Sequence, residues 1–365
     1  MRAAVLTAPG TPLEVAGDVH LDPPGPGQVR VEVAACGICH SGVSLIDGTF
    51  PILGPTVPGH EAAGVVAEVG PGVETVSVGD HVVLSPNPAC GHCRGCRRGR
   101  PGTCTRSSGL MTSSFADGST KLSRGGEVVW RGLGLAGWAE QVVVPAEGAV
   151  AVPREVPLDV ACVIGCAVQT GVGAAVNTAS IEPGDSVLVV GAGGIGLSAV
   201  AGAAAAGAPR IIVSDPSEWR REAAARFGAT DVLDPTSDDV VAEVMELTEG
   251  GVDTAFDAVG SAALVDTCLA AVVNGGEVVL VGAAPITDTV ELNAVTMMFS
   301  EKSVRGSLLG SSLSVRDIPR IVQMWQAGRL PLDEMVTARR PLEDVNEAVA
   351  DAAAGRGLRT VLTMG

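Results

Sequence analysis

Apolar residues in the first 150 positions come in short runs, broken every few residues by Gly or Pro. QVRVEVAACG (28–37), AAGVVAEVG (62–70) and DHVVLSP (80–86) are examples. Short runs between turn residues predict strands, and strands in close succession predict an antiparallel, β-rich domain. Near Pro153 the pattern changes. SVLVVGAG is followed by an Ala-rich helical stretch, RIIVSD by a helix over Glu218 to Phe227, and DTAFDAVG by another helix before GEVVLVGAA. Such alternation predicts a parallel sheet with crossover helices. Beyond Gly306 the pattern loosens, and the final GLRTVLTMG predicts a strand returning to the first domain. No internal repeat or low-complexity linker separates the parts.

The longest uncharged run, Ser186 to Pro209, is long enough to suggest a membrane span. Its glycines and strand–loop–helix order predict a buried βα unit instead. The N-terminal MRAAVLTAPG is broken too early by Pro and Gly for a signal peptide, so a cytoplasmic protein is expected. The chain has 365 residues, long enough for two domains, with 5 Phe, 4 Trp and no Tyr, so its core must rely on small aliphatic side chains. A net charge of -17 argues against a nucleic-acid partner. The one basic cluster, Arg94 to Arg100, reads as solvated loop surface, with a docking patch as the alternative.

That cluster lies among four cysteines, Cys90, Cys93, Cys96 and Cys104, spaced C-x2-C-x2-C-x7-C. A folded loop brings such thiolates to the corners of one tetrahedron, and four protein ligands leave no open position. A structural zinc is expected, rather than disulfides, in a reducing compartment.

A second motif is Gly191, Gly193 and Gly196 in GAGGIG, which also contains Gly194 and Ile195. It follows an apolar strand and opens a helix, the context that a dinucleotide fingerprint requires. The glycines allow a tight turn, close approach of the pyrophosphate and close helix–strand packing. Asp215 ends the next strand, where a carboxylate accepts from ribose hydroxyls and repels a 2′-phosphate, so NAD(H) is expected. Arg220, five residues on, could reach the same ribose or favour that phosphate instead.

Cys39, His60 and Cys166 stand far apart. Taken singly, the two cysteines read as small buried apolar residues and His60 as a turn residue. The chain as a whole, however, resembles the zinc-dependent alcohol dehydrogenases of the medium-chain dehydrogenase/reductase superfamily, in a bacterial, class III-like form. The segments that carry the resemblance are CGICHS (36–41), GHEAAGVVAEVG (59–70), GDHVV (79–83), the cysteine loop, IGCAVQTGVGAAVN (164–177), GAGGIG with Asp215, and LRTVLT (358–363).

The resemblance implies an α/β protein. A GroES-like, β-rich catalytic domain (1–165 and 309–365) would carry a structural-zinc lobe at about 88–106, and a Rossmann doubly wound domain (166–308) would bind NAD(H). It implies two zinc ions per chain, the catalytic one on Cys39, His60 and Cys166, with Glu61 behind it. Ser41 would bond the substrate oxygen and begin a proton relay. His40 and Arg359 would lie near the cofactor pyrophosphate, and Thr170 and Ile195 beside the nicotinamide, unless the latter two serve only packing. Trp138 would be a pocket wall or a core residue. The loop from Ser107 to Trp138 resembles that of dimeric relatives, which implies a homodimer.

Two positions depart from the family. Gly42 replaces an Asp that orients the ligating histidine, so Gly42→Asp is expected to improve zinc retention. Ser44 replaces a relay histidine. The expected activity is hydride transfer between NAD(H) and an alcohol, aldehyde or ketone. The alternatives are a C=C or C=N reductase, a thiol-adduct (mycothiol-type) formaldehyde dehydrogenase, and a non-enzymatic NAD-binding protein.

Overall fold

The computed structural model describes residues 1–107, 109–110 and 112–365. Positions 108 and 111 of the long Ser107–Trp138 segment lie outside the described residues. The chain forms two compact units. One comprises Met1–Ala167, Leu313–Gln323 and Leu332–Gly365; the other comprises Val168–Ser312 and Met324–Pro331.

The first unit is built on a seven-stranded sheet. Its spine is Gln28–Gly37, in which buried and less buried positions alternate over most of its length, as a strand with one face in the core requires. Glu61–Val69, Gln141–Pro145 and Arg359–Thr363 all pair with it antiparallel. The C-terminal strand therefore returns to the first unit, setting Val361 opposite Gly37. Beneath the sheet lies a core of small aliphatics with Trp138 as its one tryptophan. The Ser107–Trp138 segment contributes the hairpin of Leu122–Arg124 and Glu127–Arg131 to a smaller sheet.

The second unit is a six-stranded parallel sheet. Its spatial order is Asp231–Leu233, Arg210–Ser214, Ser186–Val190, Val252–Asp257, Val272–Leu280 and Ser303–Gly306. Numbered along the chain this is 3-2-1-4-5-6, the doubly wound order. The order reverses between Ser186–Val190 and Val252–Asp257, which places a ligand crevice beyond the carboxyl ends of those two strands. The uncharged run from Ser186 supplies the first strand and the helix Gly194–Ala206, with Val187, Leu188, Leu197 and Val200 all buried. Among the described residues no single helix is long and apolar enough to cross a membrane.

The N-terminal segment is tied to the C-terminal helix Val345–Ala353 by one side chain. Asn346 accepts from the Leu13 N–H and donates to the Leu13 carbonyl, each at 2.9 Å. Asn346→Ala leaves both half-buried backbone groups unpaired. Denaturant unfolding is expected to show a loss of about 1–3 kcal/mol, the cost of stranding such groups.

Candidate metal centre and dinucleotide site

The first unit gathers Cys39, His60 and Cys166 into one buried cluster, their ligand atoms all within 4.8 Å of one another. Each ligand sits at a break between elements. Cys39 caps the helix His40–Ile46, and His60 precedes the strand Glu61–Val69. Cys166 interrupts the passage from the turn Cys162–Gly165 into the helix Ala167–Gly173. The neighbouring Cys166 thiol foremost, with His60 and Arg359 nearby, holds Cys39 well below the usual thiol range. Two sulfurs and an imidazole at this spacing are a donor set that fits zinc with one position left open.

Glu61 explains how the cluster is held. It is fully buried, and its Oε1 accepts from the Ala167 N–H at 3.2 Å, so the residue after His60 grips the residue after Cys166. Arg359 Nε lies 3.2 Å from Oε2, an ion contact without hydrogen-bond alignment. Burial pushes the Glu61 carboxyl up to about 7, while Arg359 opposes the rise. A Cβ at position 37 would stand 2.3 Å from Oε2, so only Gly37 leaves room for this carboxylate. The structure thus sets Arg359 Nε against Glu61, because a buried carboxylate needs a countercharge.

Ser41 is half-buried, its hydroxyl 4.0 Å from the Cys39 sulfur. His40 is exposed at the start of its helix, and Ser44 is buried within it. Trp138 is a core residue: it is 0% exposed, and its ring packs on Gly42 and Gly59. Of the two places expected for Trp138, its full burial favours the core over the pocket wall. A side chain at position 42 would be crowded, because its Cβ would lie 3.2 Å from the Trp138 ring, which bears against the expected gain from Gly42→Asp.

The four-cysteine loop closes as expected, with its ligand atoms all within 4.8 Å. The Cys93 sulfur lies 3.5 Å from that of Cys96 and 4.0 Å from that of Cys104. These distances bracket the ~3.8 Å sulfur separation of a tetrahedral site with 2.3 Å bonds and are far beyond a disulfide bond. All nine cysteines are free. Backbone N–H groups, that of Cys96 foremost, hold the Cys93 thiol down at about 5, so a thiolate is available to a metal. Arg94, Arg97, Arg98 and Arg100 are exposed on this lobe, and none has an acidic partner among the described residues.

In the second unit Gly191 turns the chain at φ +95, and Gly194 opens the helix with Ile195 half-exposed beside it. A Cβ on Gly196 would stand 1.7 Å from the Gly191 carbonyl, whereas one on Gly193 would meet nothing within 4 Å. Position 193 therefore faces an open cradle at a helix N-terminus, which fits a pyrophosphate. Asp215 is buried, and its Oδ2 accepts from the Ala192 N–H at 2.8 Å, so it also braces the glycine loop. Arg220 approaches the same oxygen at 4.0 Å. Thr170 is buried, with its hydroxyl lacking a hydrogen-bond partner.

Asp257 escaped the sequence reading. At the end of the strand across the switch point, its Oδ1 accepts from the Val259 and Gly260 N–H groups and shapes the crevice. Its only signal was an acid closing the run DTAFD.

The profile of the alcohol dehydrogenase GroES-like domain matches residues 25–154, and that of the zinc-binding dehydrogenases matches residues 194–327. The NDMA-dependent alcohol dehydrogenase of Amycolatopsis methanolica is 40% identical over 365 residues, covering 99% of this chain and 98% of that protein. The chain belongs to the zinc-type alcohol dehydrogenases of the medium-chain dehydrogenase/reductase superfamily. It is an oxidoreductase acting on alcohols. The S-(hydroxymethyl)glutathione dehydrogenase of Paracoccus denitrificans is 34% identical, with 99% of each chain covered. The crystal structure of benzyl alcohol dehydrogenase from Acinetobacter calcoaceticus superposes with a TM-score of 0.94 at 31% identity, covering 100% of this chain and 99% of that one.

The two glycines should separate stability from binding. Gly196→Ala is expected to destabilise the second unit by about 3 kcal/mol or more, because a backbone carbonyl must move. Gly193→Ala should change stability by less than about 1 kcal/mol yet weaken dinucleotide binding. Thermal melting and cofactor titration of both variants test this.

Proposed function

We propose that this chain is an NAD(H)-dependent dehydrogenase of primary alcohols that holds two zinc ions and works as a homodimer in the cytoplasm. The observation that carries the reading is the convergence of Cys39, His60 and Cys166 on one buried point, with the Ser41 hydroxyl beside it. Zinc bound there would supply a Lewis acid that acidifies an alcohol hydroxyl, and the nicotinamide would exchange the hydride. Ser41 would accept the substrate proton as it passes its own hydroxyl proton on; its hydroxyl lies 4.0 Å from the Cys39 sulfur. Ser44 has no imidazole to carry that proton on, so it leaves Ser41 for solvent on the side of exposed His40. Glu61 keeps the His60 and Cys166 segments in register. Asp215 selects NAD over NADP, because its buried carboxylate repels a 2′-phosphate.

The second unit supports self-association. Ser303–Gly306 is an edge strand, and the segments just before and after it in sequence expose Val295, Met298, Phe299 and Leu308. An open edge beside apolar side chains suits pairing with the same edge of a second copy. Similarity to a hydroxymethylglutathione dehydrogenase favours one further reading, oxidation of a thiol–formaldehyde adduct.

Metal analysis should find two zincs per chain, falling to one in Cys166→Ala, with turnover lowered by about two to three orders of magnitude. A panel of primary alcohols (benzyl alcohol included), thiol–formaldehyde adducts and enones separates the readings. Reduction of enones with NADH, without alcohol oxidation, would replace the proposal. Asp215→Asn should raise the KM for NAD and lower that for NADP; an unchanged ratio would remove Asp215 from the selection. Light scattering should report a dimer that Phe299→Asp weakens, and a wild-type monomer would refute the assembly.

A further inference from the structure

A ligating imidazole usually gives its second N–H to a carboxylate or carbonyl, which fixes the ring. Position 42 offers His60 no side chain, and among the described residues no carboxylate hydrogen-bonds it. Glu61, its neighbour in sequence, is engaged by Ala167 and Arg359. The space beside Gly42 is filled by Trp138. A Cβ at Gly42 would lie 3.2 Å from Cη2 and 3.3 Å from Cζ2 of the indole. The other end of the ring presses on Gly59, where a Cβ would lie 2.4 Å from Cδ1. The indole N–H donates to the Gly37 carbonyl at 3.4 Å, and the Trp138 backbone N–H donates to Pro58 at 3.0 Å. The adjacent Gly137 N–H donates to the Gly59 carbonyl at 2.8 Å.

One fully buried side chain thus touches the backbone two residues before Cys39, three residues after it, and one residue before His60. Gly59 and Gly42 carry no side chain, so neither can give way by changing a rotamer, and Gly59 is held at φ +92. The repulsive wall between a rigid ring and two glycine backbones is steep, and it holds the two segments at a set separation.

We propose that Trp138 is a positioning residue for the metal ligands Cys39 and His60, setting by packing what a carboxylate at position 42 would set by hydrogen bonding. The inference rests on the zinc reading of that cluster. It makes the ring and the two glycines one unit: an acid at position 42 is crowded by the indole, which must shift by a few tenths of an ångström to admit it.

The test uses Trp138→Ala, Trp138→Phe and Gly42→Ala in the full chain. Chelator competition measures zinc release, with the four-cysteine zinc as internal reference. Cobalt substitution reports geometry, because sulfur-only and mixed sulfur–nitrogen sites absorb differently. Circular dichroism and melting monitor the fold. Trp138→Ala should weaken zinc at Cys39, His60 and Cys166 by about 10–100-fold, the usual effect of losing a ligand's support, and shift only that site's cobalt spectrum. Gly42→Ala should do the same to a smaller extent. Gly42→Asp alone should lower zinc retention, whereas Gly42→Asp with Trp138→Phe should regain part of the loss seen in Trp138→Phe.

Folded Trp138→Ala and Gly42→Ala chains with wild-type zinc release and cobalt spectra would overturn the inference. If Trp138→Ala does not fold, Trp138→Phe and Gly42→Ala decide by the same readouts. A wild-type chain without zinc at the cluster would overturn the zinc reading and this inference together. Zinc that is bound but indifferent to Trp138 sinks this inference alone.

Discussion

The first unit depends on one buried carboxylate. Glu61 cannot be ionised without partners in the interior, because desolvation of an unpaired charge costs several kcal/mol. Its partners come from two distant parts of the chain: the Ala167 N–H, next to Cys166, and the guanidinium of Arg359, on the C-terminal strand. That strand runs beside Gln28–Gly37, which leads into Cys39. Satisfying Glu61 therefore assembles all three ligand-bearing segments. The metal centre inherits its geometry from a fold that must already be complete to bury this charge.

Close approach at the site is bought with glycine. Gly37 makes room for Glu61, Gly42 and Gly59 for Trp138, and Gly196 for the Gly191 carbonyl. A chain with so few aromatics packs small side chains and backbone directly against one another, and here it spends one of its four tryptophans on the metal site. A position that departs from the family, Gly42, is then in tight packing contact with its neighbour Trp138.

Much of this was legible in the sequence because the signals are local. The change of hydrophobic period near Pro153, the C-x2-C-x2-C-x7-C spacing and the strand–glycine–helix order at 186–206 each lie within one stretch of chain. The doubly wound sheet and the cysteine lobe follow from them. The assembly of Cys39, His60 and Cys166 was not legible from spacing, since no local pattern joins residues 39, 60 and 166; only resemblance did so. Nothing local pointed to Arg359 as the counterion of Glu61, to Asp257 as the clasp of the crevice, or to Trp138 as the neighbour of Gly42. Each of these is a contact across sheet strands or loops, visible only once the register is set.

The two cysteine-bearing sites consequently answer to different physics. The four-cysteine lobe draws every ligand from fifteen residues and leaves three of them, Cys90, Cys93 and Cys96, partly exposed, so a metal there would close a short loop and organise what the lobe's own sparse core cannot. The three-ligand cluster draws on residues over a hundred positions apart and is buried at each one. Its shape is supported by the sheet, the Glu61–Arg359 contact and the Trp138 ring. A site supported in this way can keep a coordination position open, because surrounding packing helps to hold the ligands in place.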